Sequence, residues 1–219
     1  MRVIKQVMKN ILKVATLLLA FVLPSFSSGA QAVSEKKIER DARKLAKTFV
    51  KDGWKTAPGL PSIELQQLRA GKINNTFDDQ FNQKYVFGTA QAVGPNYDAA
   101  KYQATELAKI DIAGKISSEI AGIAETNIGN TQLEPGEAAA VVKTVGAYKS
   151  FVATKLVNII SVVDMYKVDP STHNTTVQIG LFYNREEALK AGMKAIRDEM
   201  MKESQELAEQ LDNLLSLKE

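Results

Sequence analysis

Residues 97–126 constrain the fold more than any other stretch, because one helical face there begins small and ends bulky. Ala99, Ala100, Ala104 and Ala108 come first, followed by Ile112, Ile116, Ile120 and Ile123. The spacing keeps them on one side of a long helix. Alanines let a helix approach a flat neighbour closely, and the isoleucines then fill a wider gap. The flat neighbour is a sheet. Residues 85–93 are rich in aromatic and β-branched side chains and predict a strand. Val157, Ile159, Val163 and Met165 alternate along a second strand, and Val177, Ile179, Leu181 and Tyr183 along a third. A period of two predicts one buried face for each. Residues 169–174 join the last two as a hairpin whose connection is longer than a tight turn. The expected class is α+β: a small, mainly antiparallel sheet packed against helices, with long helices flanking it at both ends.

The flanks follow from caps and periodicity. Ser34 is placed to cap a helix reaching Lys51, with Ile38, Ala42, Leu45 and Phe49 on its inner face. Asp52-Gly53 ends it, and Trp54 is expected to fold back on the body. Residues 57–61 form a turn-rich linker. Ser62 opens a short helix over 63–70 closed by Gly71, and 72–83 reads as a loop. Beyond the long helix, 127–135 is a loop and 136–154 a further helix. Asn184 caps a final helix, with Glu187 in a capping-box position. Its stripe Leu189, Met193, Ile196, Met200, Leu207, Leu211, Leu214 predicts some thirty continuous residues. The segments expected are therefore 33–82 (helical), 83–184 (α+β domain) and 185–219 (amphipathic helix). Residues 34–56 carry eight Lys/Arg against four Asp/Glu, and residues 185–219 six against nine, so the two terminal helices are expected to pair.

Residues 1–32 read as an export signal. Arg2, Lys5, Lys9 and Lys13 give a cationic start, Val14 to Leu23 an apolar run too short to span a bilayer, and Pro24 a break. Ala30 and Ala32 flank Gln31 as an A-x-A recognition pair for signal peptidase, with cleavage expected before Val33. Removal of four cations and no anions turns 28 Lys+Arg against 25 Asp+Glu into 24 against 25, about −1. Overall charge therefore gives no reason to expect a nucleic-acid partner. The chain has no cysteine, which excludes thiolate metal sites, thiol nucleophiles and an acylated N-terminal cysteine. A periplasmic or secreted protein without a lipid anchor or later membrane span is expected.

Residues 85–90 (YVFGTA), the Ala-rich stretch 98–108 with Ala100, Ala104 and Ala108, and the late strand 177–183 (VQIGLFY) carry a family likeness. Across about 83–184 the chain resembles the lipoprotein-20 family of bacterial envelope proteins, whose domain is similar to the N-terminal domain of flagellar assembly protein T. Asp52-Gly53-Trp54-Lys55 also looks like a region of secreted relatives. The resemblance implies a compact α+β domain with helices on one side of the sheet, a place in the cell envelope, and no catalytic site. Family members named as lipoproteins carry a lipidated cysteine, which this chain lacks.

No residue constellation demands a particular chemistry. His173 is the only histidine and sits in the hairpin connection, where solvent exposure is the simpler reading. Ser34 and Lys37 match S-x-x-K without its companion motifs, and helix capping accounts for the serine. Asp78-Asp79, Glu134 and Glu137 lack ordered calcium-ligand spacing. The sequons at Asn74 and Asn174 are short and common. Lys36, Arg40, Lys44, Lys47 and Lys51 form a basic face, for which contact with anionic lipid headgroups or acidic glycans is the functional reading, ranked below a face that is solvated or paired with the acidic last helix. No catalytic, cofactor or metal residue is assigned and no cofactor is expected. The leading expectation is a non-enzymatic envelope protein acting as an interaction or assembly factor. The length of the last helix suits either docking on its own domain or a coiled-coil contact with an envelope partner, with self-association also open; Met200-Met201 suit an adaptable contact as well as an ordinary core. The alternative is a binding module for a lipid, glycan or peptide in a pocket lined by Trp54, Tyr85, Phe87 and Tyr166. A hydrolase ranks last.

Overall fold

A computed structural model describes residues 33–127, 143–145, 147 and 149–215. Strands β1 (Tyr85–Gly94), β2 (Ile160–Val168) and β3 (Thr175–Asn184) form one antiparallel sheet in the order β1-β3-β2. The last strand in sequence is thus the middle one. Its central place corrects the expectation of a single buried face: Val177, Ile179, Leu181 and Tyr183 point into one apolar cluster and Phe182 into another. Burial on both sides makes 177–183 a continuous buried run. Along β2 the register slips between Ser161 and Val163, and Val157, expected on its inner face, lies exposed before the strand begins.

The larger cluster lies under the long helix. Helix α1 is Glu35–Lys51, α2 Ile63–Asn74, α3 Tyr97–Asn127, α4 Lys149–Lys155, α5 Arg185–Glu203 and α6 Gln205–Leu215. On α3, Ala100, Ala104, Ala108, Ile112, Ile116 and Ile120 are all fully buried. The step of four continues to Ala124, leaving Ile123 exposed rather than in the core as expected. Val145 and Val152 join the same cluster. The predicted loop at 127–135 and most of the predicted helix over 136–154 lie outside the described residues.

The terminal stripe does not form one helix. Ser204 is extended (φ −160, ψ 123), and its hydroxyl accepts from Leu207 N–H at 3.4 Å to start α6. Arg197 Nε donates to both oxygens of Asp212, at 2.9 and 2.8 Å. Fifteen residues of straight helix span about 22 Å, so the chain has doubled back. Ile196, Met200, Ala208 and Leu211 are buried in the main core as a result. The stripe expected to meet a partner is consumed inside the molecule, because burying it there removes roughly 2 kcal/mol worth of apolar side chain from water per residue.

The smaller cluster fills the opposite sheet face with Phe49, Trp54, Ile63, Val163, Met165 and Phe182. Helices therefore cover both sides of the sheet, where the resemblance implied one. Helix α1 packs on α2, tied by Arg43–Glu64 at 3.2 Å and by Lys72–Glu35. It does not pair with the acidic α5 and α6, which belong to the other face. Gly71 does not end α2 as expected. The helix continues to Asn74 because a Cβ at Gly71 would lie 2.7 Å from Ile38 Cγ2, so the glycine serves the crossing with α1. Trp54 folds back as expected and is 2% exposed.

Candidate functional site

In a three-stranded sheet two strands are edges, and each edge presents unpaired backbone groups that must be covered or left to bind. In the middle of β2 the outward groups belong to Asp164 and Tyr166. Gln66 of α2, itself 1% exposed, donates its side-chain amide to Asp164 C=O at 3.1 Å and accepts from Asp164 N–H at 2.8 Å. The backbone of Lys55 exchanges two hydrogen bonds with Tyr166, at 2.7 and 2.8 Å. The middle of this edge is closed.

On β1 the closure covers only part of the strand. Asp111 of α3 accepts from Thr89 N–H at 3.1 Å, and Lys115 donates to Phe87 C=O at 2.6 Å. The two side chains also pair with each other at 3.0 Å. Strand alternation puts the N–H and C=O of Gln91 and Val93 on the same outer side, and they meet no partner among the described residues. One helical turn from Asp111 toward the Gly94 end, the covering position is Leu107, which offers no hydrogen bond. Leu107 is 48% exposed and Val93 57%. The open stretch is thus a short run of backbone donors and acceptors flanked by apolar side chains.

A second constellation ties α3 to β2. The Tyr97 hydroxyl lies 2.8 and 2.9 Å from the two oxygens of Asp164, and Lys101 Nζ lies 2.6 Å from one of them. Burial, then the hydrogen bond to Asp164, pushes the Tyr97 phenol above its ordinary value. The same carboxylate, by its hydrogen bond, holds the Lys101 ammonium above its own. Both shifts favour the protonated forms, the reverse of what a phenolate or amine nucleophile needs. With every carboxylate oxygen taken, the cluster acts as a clamp.

A surface cleft of about 420 Å³ lies between the 78–84 loop and the start of α5. Asp78, Asp79, Lys84, Arg185 and Glu186 line it, three acids interleaved with two bases, too mixed a set to select a ligand by charge. Asp78 is held by its own loop: it accepts from the backbone N–H of Asn82 at 2.8 Å and of Gln80 at 2.9 Å. These bonds, Asn82's first, keep its carboxyl below the usual range.

The four aromatics of the expected pocket do not line a common cavity. Trp54 packs on Phe49 at 6.1 Å and Phe87 on Phe182 at 4.7 Å on one sheet face. Tyr166 meets Tyr97 at 5.4 Å on the other. His173 is exposed in the hairpin connection with φ 57. Ser34 occupies the N-cap position of α1, but its side chain makes no capping bond. Asn75 of the first sequon uses its amide to pair with both backbone groups of Val33, at 3.0 and 3.1 Å. Ala30, Ala32, Glu134 and Glu137 lie outside the described residues. Among the described residues no group of three or more metal-ligating side chains converges, and no helix is long and apolar enough to cross a membrane. The sheet edges and the Asp164 clamp escape a reading of the sequence. Tyr97 and Lys101 are visibly one turn apart, but Asp164 is joined to them only by the fold. No family model, curated protein or solved structure matches the chain.

Proposed function

We propose that this chain is an exported, non-catalytic envelope protein that works by binding a partner protein along the open part of its β1 edge. The observation that carries this reading is the contrast between the edges. Asp164 and Tyr166 of β2 and Phe87 and Thr89 of β1 are met by dedicated groups, whereas Gln91 and Val93 are left open between apolar side chains. An extended partner segment would add a fourth strand there, with backbone hydrogen bonds giving affinity and Val93 and Leu107 giving contact area. The lipoprotein-20 resemblance of 83–184 and the export signal in 1–32 support the envelope placement.

The test uses a photo-crosslinking residue at position 93, in cells, against the same probe at position 115 on the closed half. A defined partner is captured from 93 and not from 115. Val93→Pro removes one outward N–H without touching the ladder to β3, a substitution edge strands tolerate. Leu107→Lys would cover the gap as Lys115 covers Phe87. Both variants should keep the native circular dichroism and lose the captured partner. Equal capture from both positions, or capture indifferent to both variants, would refute the reading.

A further inference from the structure

We propose that α1 docks on an anionic phospholipid surface through the stripe Lys36, Arg40, Lys44, Lys47 and Lys51. All five side chains are exposed. At 3.6 residues per turn they fall within an arc of about 80° and run about 22 Å along the helix. That arc lies diametrically opposite Ala42, Ala46 and Phe49, which bury α1 in the smaller core. The stripe is therefore the outermost line of this side of the molecule, able to meet a flat surface along its whole length.

Its charge is not neutralised from within. Among the described residues the four lysines make no ion pair, and Arg40 reaches only Asp41 of its own helix, at 3.7 Å, with both side chains largely exposed. Glu35 of α1 and Glu64 of α2 are engaged away from the stripe, with Lys72 and Arg43, which leaves Glu39 and Asp41 as the α1 acids beside it. The acidic α5 and α6 lie across the sheet. The chain from Val33 is near neutral overall, and outside the stripe it carries 19 Lys+Arg against 25 Asp+Glu, so attraction is local to one face rather than a property of the whole.

The form of the stripe selects the partner. Four of the five cations are lysines, compact point charges on flexible stems that suit a diffuse array of headgroups more than a planar, bidentate ligand. The surface is one convex helix, not a groove, and its two neighbouring aromatics, Phe49 and Trp54, are buried. Nothing on it can stack on a base or a sugar ring, the usual device of single-strand nucleic-acid binders. A membrane surface with anionic lipid asks only for a line of basic residues at the right height.

The experiment is vesicle co-sedimentation of the chain beginning at Val33, which contains both cores. Vesicles of phosphatidylcholine are compared with vesicles also containing phosphatidylglycerol, at low and high salt. Binding should require phosphatidylglycerol and fall steeply as salt shortens the screening length. With about fivefold in partition per cation, Lys44→Gln/Lys47→Gln should weaken binding roughly 25-fold. Lys190→Gln/Lys202→Gln changes net charge equally at exposed positions of α5 and should leave binding within about twofold of the parent, since charges beyond a screening length contribute little. No binding to the anionic vesicles, or equal weakening by both pairs, overturns the proposal. Tighter Lys44- and Lys47-dependent binding to duplex DNA or heparin than to vesicles overturns the assignment to lipid.

Discussion

Gly88→Ala should be the most damaging single methyl group that can be added to this protein. Gly88 lies in β1 beneath α3, and a Cβ there would sit 2.4 Å from the backbone oxygen of Ala108 and 2.4 Å from Ile112 Cγ1. Ordinary contact begins at 3.4 Å, so about 1 Å must be found. The carbonyl cannot rotate away, because it belongs to the helix ladder. Ile112 is fully buried among packed neighbours and has no free space to move into. Relief therefore means lifting α3 off the sheet along Ala100, Ala104 and Ala108, whose small size exists to allow the close approach. Overpacking of this kind costs about 3 kcal/mol at its upper end. The reduced entropy of the unfolded alanine chain returns about 0.5 kcal/mol, leaving a net loss of about 2–3 kcal/mol. In urea, with an m value of about 2 kcal/mol/M, the midpoint should fall by about 1–1.5 M. Gly114→Ala is the control, since no atom lies within 4 Å of its Cβ position on the outer side of the same helix. Helix propensity should then raise stability by about 0.5–1 kcal/mol. If Gly88→Ala moves the midpoint by less than about 0.3 M with m unchanged, the helix is not seated on the sheet as described.

Asp164→Ala should cost about 1–2 kcal/mol, chiefly from the half-buried Tyr97 hydroxyl losing its carboxylate acceptor; Lys101, whose side chain is 41% exposed, can turn to water and adds little. Because burial and then Asp164 raise the Tyr97 pKa, and the hydrogen bond to Asp164 raises that of Lys101, their contribution is complete below the unfolded values of 10.0 and 10.5 and is lost as pH rises through the folded ones. The stability gap between the parent and Asp164→Ala, followed by denaturation across pH, should hold constant at neutral pH and shrink only above pH 10.0. Gln66→Leu strips both backbone partners from Asp164, which should cost about 2–3 kcal/mol and turn β2 into a self-pairing edge visible as concentration-dependent association in sedimentation. Asp78 has its carboxyl held down by backbone donors, so the order it gives the 78–82 turn is present above its unfolded value of 3.8 and is lost as pH falls through the lower folded value. Protection of the Asn82 amide, its exchange rate relative to the intrinsic rate at the same pH, should fall in that acid range and stay constant between pH 5 and 8, where the carboxylate is fully charged.

The parts of this fold legible in the sequence are those fixed by neighbours in the chain. The Ala-to-Ile face of α3, the alternation in β2 and β3, and the Asn184 cap each repeat within a few residues, so local periodicity carries them. The failures are all places where a distant residue decides. Gly71 has the position of a helix stop, and only Ile38, more than thirty residues earlier, turns it into a contact point. Ser204 interrupts an unbroken apolar stripe without a proline or glycine, because the reward for turning is the pairing of Arg197 with Asp212 and the burial of Leu211. Gln66 is polar in sequence and among the most buried residues in fact, since its amide stands in for a missing strand. The basic line of α1 is visible in the sequence, whereas the distance of the acidic α5 and α6 from it is set only by the fold.

Strand order explains why the open edge lies where it does. Because β3 is central, β1 must be an edge, and α3 follows β1 directly and runs back over it. One line of α3 therefore overhangs the outer rim of β1 at each turn. At Lys115 and Asp111 that line is polar and reaches the backbone groups of Phe87 and Thr89. At Leu107 it becomes apolar, and from there the groups of Gln91 and Val93 have nothing above them. A charged residue at 107 would have completed the closure within the same helix, at little cost on a half-exposed position. The change from polar to apolar along one overhanging line thus separates a sealed half-edge from an accessible one. It also supplies the accessible half with the apolar side chain a docked strand would cover.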